Sequence, residues 1–88
     1  MGKYDEALKA FDEAIRLDPK YATAWVDKGA NLGIQGKYDE AIKAFDTAIK
    51  LDQDFGGAWI DKGTVLNAQG RTTEADVAFA RARDLEGN

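Results

Sequence analysis

The chain has 88 residues, of which 32% are charged and 44% hydrophobic, a balance typical of one small soluble domain. The formal net charge of -4 disfavours nucleic acids and anionic membrane surfaces as partners, since both attract basic proteins. Cysteine is absent, which excludes disulfides, and no apolar run approaches the roughly 20 residues of a membrane span. No signal segment is evident either, so a cytoplasmic location is expected.

Five helices are predicted in chain order, with short turns between them. The first, residues 3–17, ends at Asp18-Pro19, because proline cannot continue a helix and disfavours helical geometry just before it. Gly36 and Gly70 mark later turns, where a positive φ is often needed. The remaining helices are predicted over residues 22–35, 38–51, 56–69 and 72–85.

The third predicted helix shows the amphipathic pattern most clearly. Its apolar residues recur at spacings of three and four, which is the period of one helix face, and charged residues fill the other face. The second predicted helix has fewer large apolar groups, so it should depend more on its neighbours. Its core candidates are Ala22, Trp25, Gly29 and Leu32.

The sequence repeats itself at an offset of 34 residues. Residues 2–20 and 36–54 are identical at 14 of 19 positions, and residues 24–29 return as 58–63 with one change. Copies at one fixed spacing predict stacked helical repeats. A third, weaker copy begins at Gly70 and keeps Glu74, Ala75, Ala78, Phe79, Ala82 and Leu85.

This pattern resembles the tetratricopeptide repeat over essentially the whole chain. The resemblance rests on the 34-residue period and on Trp25/Trp59, Gly29/Gly63, Ala41/Ala75, Phe45/Phe79, Ala48/Ala82 and Pro19. It implies an all-α fold, a right-handed α-α superhelix of five antiparallel helices. Because Trp25 and Trp59 stand at the family's core position, they are interpreted as wedges between helices rather than as ligand-stacking groups.

Two departures from the family pattern are expected to thin the core. Lys28 and Lys62 occupy positions where the family usually has leucine, and Leu32 and Leu66 replace its usual tyrosine. The small residues that let helices approach each other remain.

The register of the repeat divides the predicted single domain, residues 1–88, into three parts. Residues 2–20 match the second helix of an incomplete repeat, and residues 21–54 and 55–88 match two full repeats. Two interpretations stay open: a fragment of a longer array, or an array whose exposed ends stack on another copy as a homo-oligomer. The candidates for self-association are Leu8, Phe11 and Ile15.

The resemblance also implies a concave partner-binding face, lined by the first helix of each repeat. Chaperone-adaptor members of the family carry Lys, Asn and Arg on this face and clamp a peptide's terminal carboxylate. This sequence has no cation at those positions, so a peptide with apolar anchors and a basic group fits better. For each aspartate taken alone, however, a solvated helix charge is the preferred interpretation. The matching residues are Thr23, Val26, Asp27, Ala30, Ile34, Gly57, Ile60, Asp61, Thr64, Asn67 and Ala68.

Catalysis is not predicted. The chain has no His, Cys or Ser, which removes the commonest general base, metal ligand and nucleophiles. Asp52 and Asp54 fit a helix-capping turn better than a metal site, and no glycine-rich phosphate cradle is present. The sequence therefore predicts a protein-interaction scaffold with no cofactor and no metal. This scaffold is expected to bind a peptide or helix of a partner protein. The alternative is an assembly module that self-associates through its exposed repeat ends.

Overall fold

The computed structural model describes residues 2–87, in which five helices follow one another with no strand. The predicted all-α repeat fold is confirmed, and each predicted helix boundary lies within two residues of the observed one. The helices are α1 (Gly2–Leu17), α2 (Ala22–Ile34), α3 (Tyr38–Leu51), α4 (Gly56–Ala68) and α5 (Thr72–Gly87). The most extensive packing joins α2 to α3 and α4 to α5, while α1 packs on α2 and α3 packs on α4.

Glycines with positive φ close two of the turns. Gly36 has φ 81° and Gly70 has φ 79°, a region that other residues rarely adopt. The amide of Lys37 donates to the carbonyl of Leu32 at 2.9 Å, and Arg71 donates to Leu66 at the same distance. This hydrogen bond satisfies a carbonyl that the helix end would otherwise leave unpaired, as in a Schellman motif. The chain therefore reverses within three residues, and consecutive helices lie side by side.

Aspartates close the other two turns. The Asp18 carboxylate accepts a hydrogen bond from the Lys20 amide at 3.2 Å, and Asp52 accepts one from Asp54 at 3.1 Å. The same side chain thus orders both turns, with proline in the first and without it in the second. This hydrogen bond explains why Asp52 lies in a turn and supports its interpretation as a turn residue.

Small residues form most of the core, as the alanine-rich sequence predicts. If Gly29 carried a Cβ atom, it would lie 2.6 Å from the Phe45 ring, and a Cβ on Gly63 would lie 2.7 Å from the Phe79 ring. The backbones of α2 and α4 therefore rest directly on phenyl rings. The fully or nearly fully buried apolar residues include Ala24, Leu32, Ala41, Phe45, Ala48, Ala58, Leu66, Ala75, Ala78 and Ala82.

The two lysines at the family's leucine positions bridge neighbouring helices. The Lys28 ammonium lies 2.8 Å from the Asp12 carboxylate in α1 and 5.7 Å from the centre of the Trp25 ring. Lys62 repeats the arrangement with Asp46 at 2.6 Å and Trp59 at 5.8 Å. The expectation that lysine merely thins the core is therefore incomplete. Its ammonium group lies over the tryptophan ring and pairs with a carboxylate of the preceding helix.

Both tryptophans are half-buried and anchored at their polar edge. The Trp25 indole N–H donates to the carbonyl of Pro19 at 2.9 Å, and Trp59 donates to Gln53 at 3.1 Å. Trp25 also packs against the central core cluster. Each tryptophan thus links its helix to the turn that precedes it, and its indole N–H has a hydrogen-bond acceptor.

Replacing Lys28 with methionine tests the bridge, because methionine keeps an apolar stem but cannot pair with Asp12. We expect Lys28→Met to lower the free energy of unfolding by about 1 kcal/mol in urea titrations at low salt. The exposed Lys50→Met is the matched control and should change it by less than about 0.5 kcal/mol. Lys28→Met should have a smaller effect in an Asp12→Asn background, and equal effects in both backgrounds would show that the ion pair contributes nothing.

Candidate partner-binding cleft

Helices α2 and α4 contact each other directly and leave a cleft between them, with α3 on its inner side. The cleft has a volume of about 280 Å³. Most of its lining is apolar, and small side chains keep it open. It is lined by Ala30, Gly33 and Ile34 of α2, Tyr38 and Phe45 of α3, and Asp61, Thr64, Val65 and Ala68 of α4.

Five of the eleven residues predicted for the concave face line this cleft. Their spacing of three and four residues places them on one side of α2 and α4. Ile34 is 66% exposed at the end of α2, so a large apolar side chain is available at the mouth of the cleft. The five residues are Ala30, Ile34, Asp61, Thr64 and Ala68.

The other predicted residues are distributed differently. Val26 is only 7% exposed and belongs to the core cluster, so it offers no surface to a partner. Asp27 lines a neighbouring depression together with Ala30 and Ile34. Thr23 is half-buried, while Gly57, Ile60 and Asn67 are exposed but do not line the cleft.

Sequence reasoning missed the contribution of α3. Tyr38 and Phe45 reach the cleft although α3 is the second helix of its repeat. The signal was present at Tyr38, since it is the first residue of α3 and follows a turn that brings the chain back beside α2. Phe45 is 0% exposed and belongs to the core cluster, yet its ring also forms part of the cleft wall.

Among the described residues, two ionisable side chains line the cleft, the carboxyl group of Asp61 and the phenol of Tyr38. The cleft lining within residues 2–87 contains no lysine or arginine. Burial raises the pKa of the Asp61 carboxyl above its usual range, and the negative charge of Asp27 raises it further. The neighbouring lysines do not offset this charge inside the cleft, because Lys28 and Lys62 pair with Asp12 and Asp46. The cleft thus combines an apolar wall with negative charge.

Thr64 has little capacity to recognise a ligand through its hydroxyl proton. Its Oγ1 donates to the carbonyl of Ile60 at 3.0 Å, one turn earlier in α4. Its methyl group adds to the apolar wall, and its oxygen keeps an acceptor site.

Residues 2–87 contain no group of three or more carboxylates that could hold a metal ion.

Two family models match this sequence. One is described as the tetratricopeptide repeat and matches residues 22–55, and the other, described as a TPR repeat, matches residues 1–33. Together they span residues 1–55, which is more than half of the chain. The chain belongs to the tetratricopeptide repeat family.

Solved structures of other tetratricopeptide repeat proteins share this fold. MamA is 28% identical with a TM-score of 0.91, over 97% of this chain and 50% of MamA. The second TPR of Spaghetti (RPAP3), solved with the HSP90 peptide SRMEEVD, is 28% identical with a TM-score of 0.89, over 96% of this chain and 78% of that one. The translocator chaperone SycD of Yersinia enterocolitica is 26% identical with a TM-score of 0.94, over 99% of this chain and 66% of SycD.

The chain thus spans half of the MamA chain and slightly less than two thirds of the SycD chain. No curated protein matches the sequence significantly. None of the helices in residues 2–87 combines the length and apolar character required to cross a membrane.

The raised pKa of Asp61 gives a testable pH dependence. The folded protein disfavours the ionised form of Asp61, so the charged carboxylate lowers the free energy of unfolding at pH values above the folded pKa. This loss of stability disappears at pH values below the pKa of aspartate in the unfolded chain, which is about 3.9. We therefore expect Asp61→Asn to raise the free energy of unfolding at pH 7 and to lose this advantage as the pH falls through the folded pKa. Urea titrations between pH 7 and pH 3 measure both effects.

Asp27→Asn separates the two causes. Removing the charge of Asp27 should lower the pKa of Asp61 but leave it above the usual range, because burial is the larger cause. Carboxyl-carbon NMR titration of Asp61 in both proteins measures this directly. An Asp61 that titrates normally in the unmodified chain would contradict the account.

Proposed function

We propose that this protein is an interaction scaffold whose cleft between α2 and α4 binds a peptide or helix of a partner protein. The observation that carries the proposal is the pairing of an apolar cleft of about 280 Å³ with a partly buried carboxylate, Asp61. Clefts of this kind bury an apolar anchor of the ligand, and a few polar groups orient it. The second TPR of Spaghetti (RPAP3), solved with a bound HSP90 peptide, has the same fold and supports a scaffold role.

The chemistry of the cleft favours a ligand with an apolar anchor and a lysine or arginine. Ile34 and Ala68 offer contact area to the anchor, and Asp61 offers a negative partner for the cation. A cation beside Asp61 also relieves the repulsion from Asp27, so binding is expected to favour the ionised carboxylate. The apolar contact supplies most of the affinity, and the charge supplies orientation and specificity.

An acidic peptide such as SRMEEVD fits this chain poorly. The positions that carry the cationic clamp in chaperone-adaptor relatives hold no cation here. A peptide carboxylate would therefore lie beside aspartates without a compensating charge. These positions are occupied by Val26, Asp27, Ala30, Ile60, Asp61 and Thr64.

The same surface supports a non-enzymatic role. Acid–base or nucleophilic catalysis needs at least two reactive groups converging on one substrate position. The cleft offers one carboxylate, one phenol and one hydroxyl that already donates a hydrogen bond. We therefore assign no reaction to this chain.

Self-association is the second candidate function, and it stays a prediction. Leu8, Phe11 and Ile15 are all half-buried. Leu8 packs against the core cluster, whereas Phe11 lines a surface depression. Of the three, Phe11 offers the better site for contact with another copy.

A titration with defined peptides tests the cleft. The probes are two ten-residue peptides with the same central leucine, one carrying two lysines and the other two glutamates. We expect only the lysine peptide to bind, with amide shift changes at Asp61, Thr64 and Ala68 in NMR spectra of the labelled protein. Its affinity should fall as salt rises from 0.02 to 0.3 M, by roughly tenfold, because the charge contacts are partly exposed.

Asp61→Asn should weaken the lysine peptide about fivefold to tenfold and flatten the salt dependence. Asp76→Asn, at an exposed position on α5, is the matched control and should leave the affinity unchanged. Preferential binding of the glutamate peptide, or shift changes confined to other surfaces, would overturn the proposal.

A further inference from the structure

The cleft and the depression beside it share a wall. Ala30 and Ile34 of α2 line both of them, so the two hollows form one continuous surface on either side of this helix. Asp61 lines the cleft, whose volume is about 280 Å³, and Asp27 lines the depression, whose volume is about 390 Å³. A ligand that crosses α2 at Ala30 therefore meets both hollows and both carboxylates.

The two aspartates are equivalent residues of neighbouring helices. Asp27 and Asp61 lie 34 positions apart in the sequence, which is one repeat. Their helices, α2 and α4, contact each other directly, and the axes of packed helices lie about 8–10 Å apart. The two carboxylates are close enough for the charge of Asp27 to contribute to the raised pKa of Asp61. The surface thus presents two like charges separated by about one helix spacing.

Cations of the chain itself leave these two charges available. The lysine that follows each aspartate in the sequence pairs with a carboxylate of the preceding helix. Lys3 lines the depression, but the ion pairs found within residues 2–87 do not join it to Asp27. A ligand with two cations can therefore place one beside each aspartate and relieve their mutual repulsion.

The size of the cleft favours an extended ligand. One turn of an α-helix fills a cylinder about 10 Å wide and about 5.4 Å long, which is roughly 400 Å³. The cleft holds about 280 Å³, so it admits side chains and an extended backbone but does not enclose a helix.

The spacing of the aspartates distinguishes between extended conformations. In a polyproline II segment, residues three apart lie on the same side and about 9 Å from each other. In a β-strand, residues on the same side are two or four apart, which corresponds to about 7 Å or about 13 Å. The polyproline II spacing matches the distance of about 8–10 Å between packed helices.

We infer that the ligand is an extended segment with lysine or arginine at two positions three apart, one beside Asp27 and the other beside Asp61. An apolar residue between the two cations reaches toward Ala30 and Thr64, which stand one turn further along α2 and α4 and line the cleft. This inference rests on the proposed function of the cleft and adds the spacing and conformation of its ligand.

A series of capped twelve-residue peptides tests the spacing. Each contains two lysines and one leucine, with serine elsewhere, and the leucine directly follows the first lysine. The lysines are two, three, four or seven positions apart, and the last spacing serves a helical ligand at about 10.5 Å. We expect the spacing of three to bind at least about fivefold more tightly than each of the others, because that peptide engages both carboxylates at once.

Asp27→Asn identifies the second contact. It should weaken binding of the spacing-three peptide about fivefold, and it should change binding by less than about twofold when glutamine replaces one lysine of that peptide. Equal affinities for all four spacings, or the tightest binding at seven, would overturn the inference while leaving the cleft as a binding site. Failure of every lysine peptide to bind would overturn the proposed function as well.

Discussion

The close approach of two helices at a glycine determines the geometry of this protein. Gly29 lets the backbone of α2 rest on the Phe45 ring, and Gly63 lets α4 rest on Phe79 in the same way. Because the contact recurs after 34 residues, each helical pair adopts the same spacing, and α2 and α4 come to lie side by side. The cleft between them is a consequence of this spacing, since larger residues would separate the helices and open the core.

The same repetition divides charge between two surfaces. Asp27-Lys28 and Asp61-Lys62 are adjacent in sequence, and adjacent residues lie about 100° apart around a helix. The lysines point toward the preceding helix, where Asp12 and Asp46 pair with them and the tryptophan rings lie beneath. The aspartates point toward the cleft and the depression beside it. The cation of each pair thus bridges two helices, and the anion faces the surface for which we propose partner binding.

Periodicity sufficed to predict the fold, because the pattern of small residues and turn glycines is local and repeats. Helix ends, turns and the buried alanines all followed from it. The site was predicted only in part: Ala30, Ile34, Asp61, Thr64 and Ala68 line the cleft, whereas Val26 lies in the core because its position on α2 faces inward. The Lys28–Asp12 bridge could not be predicted, since it depends on the distance between two helices rather than on either sequence segment. The division into one incomplete and two full repeats remains a prediction.

The most direct test of this account is the free energy of unfolding of Gly29→Ala, measured beside Gly56→Ala. A Cβ at Gly56 meets no atom within 4 Å, whereas one at Gly29 meets the Phe45 ring. Helix propensity alone favours alanine at both sites. We expect Gly29→Ala to lose about 1–3 kcal/mol and Gly56→Ala to lose nothing, with a smaller loss at Gly29 when Phe45 is leucine. A Gly29→Ala protein as stable as the unmodified chain would contradict the account.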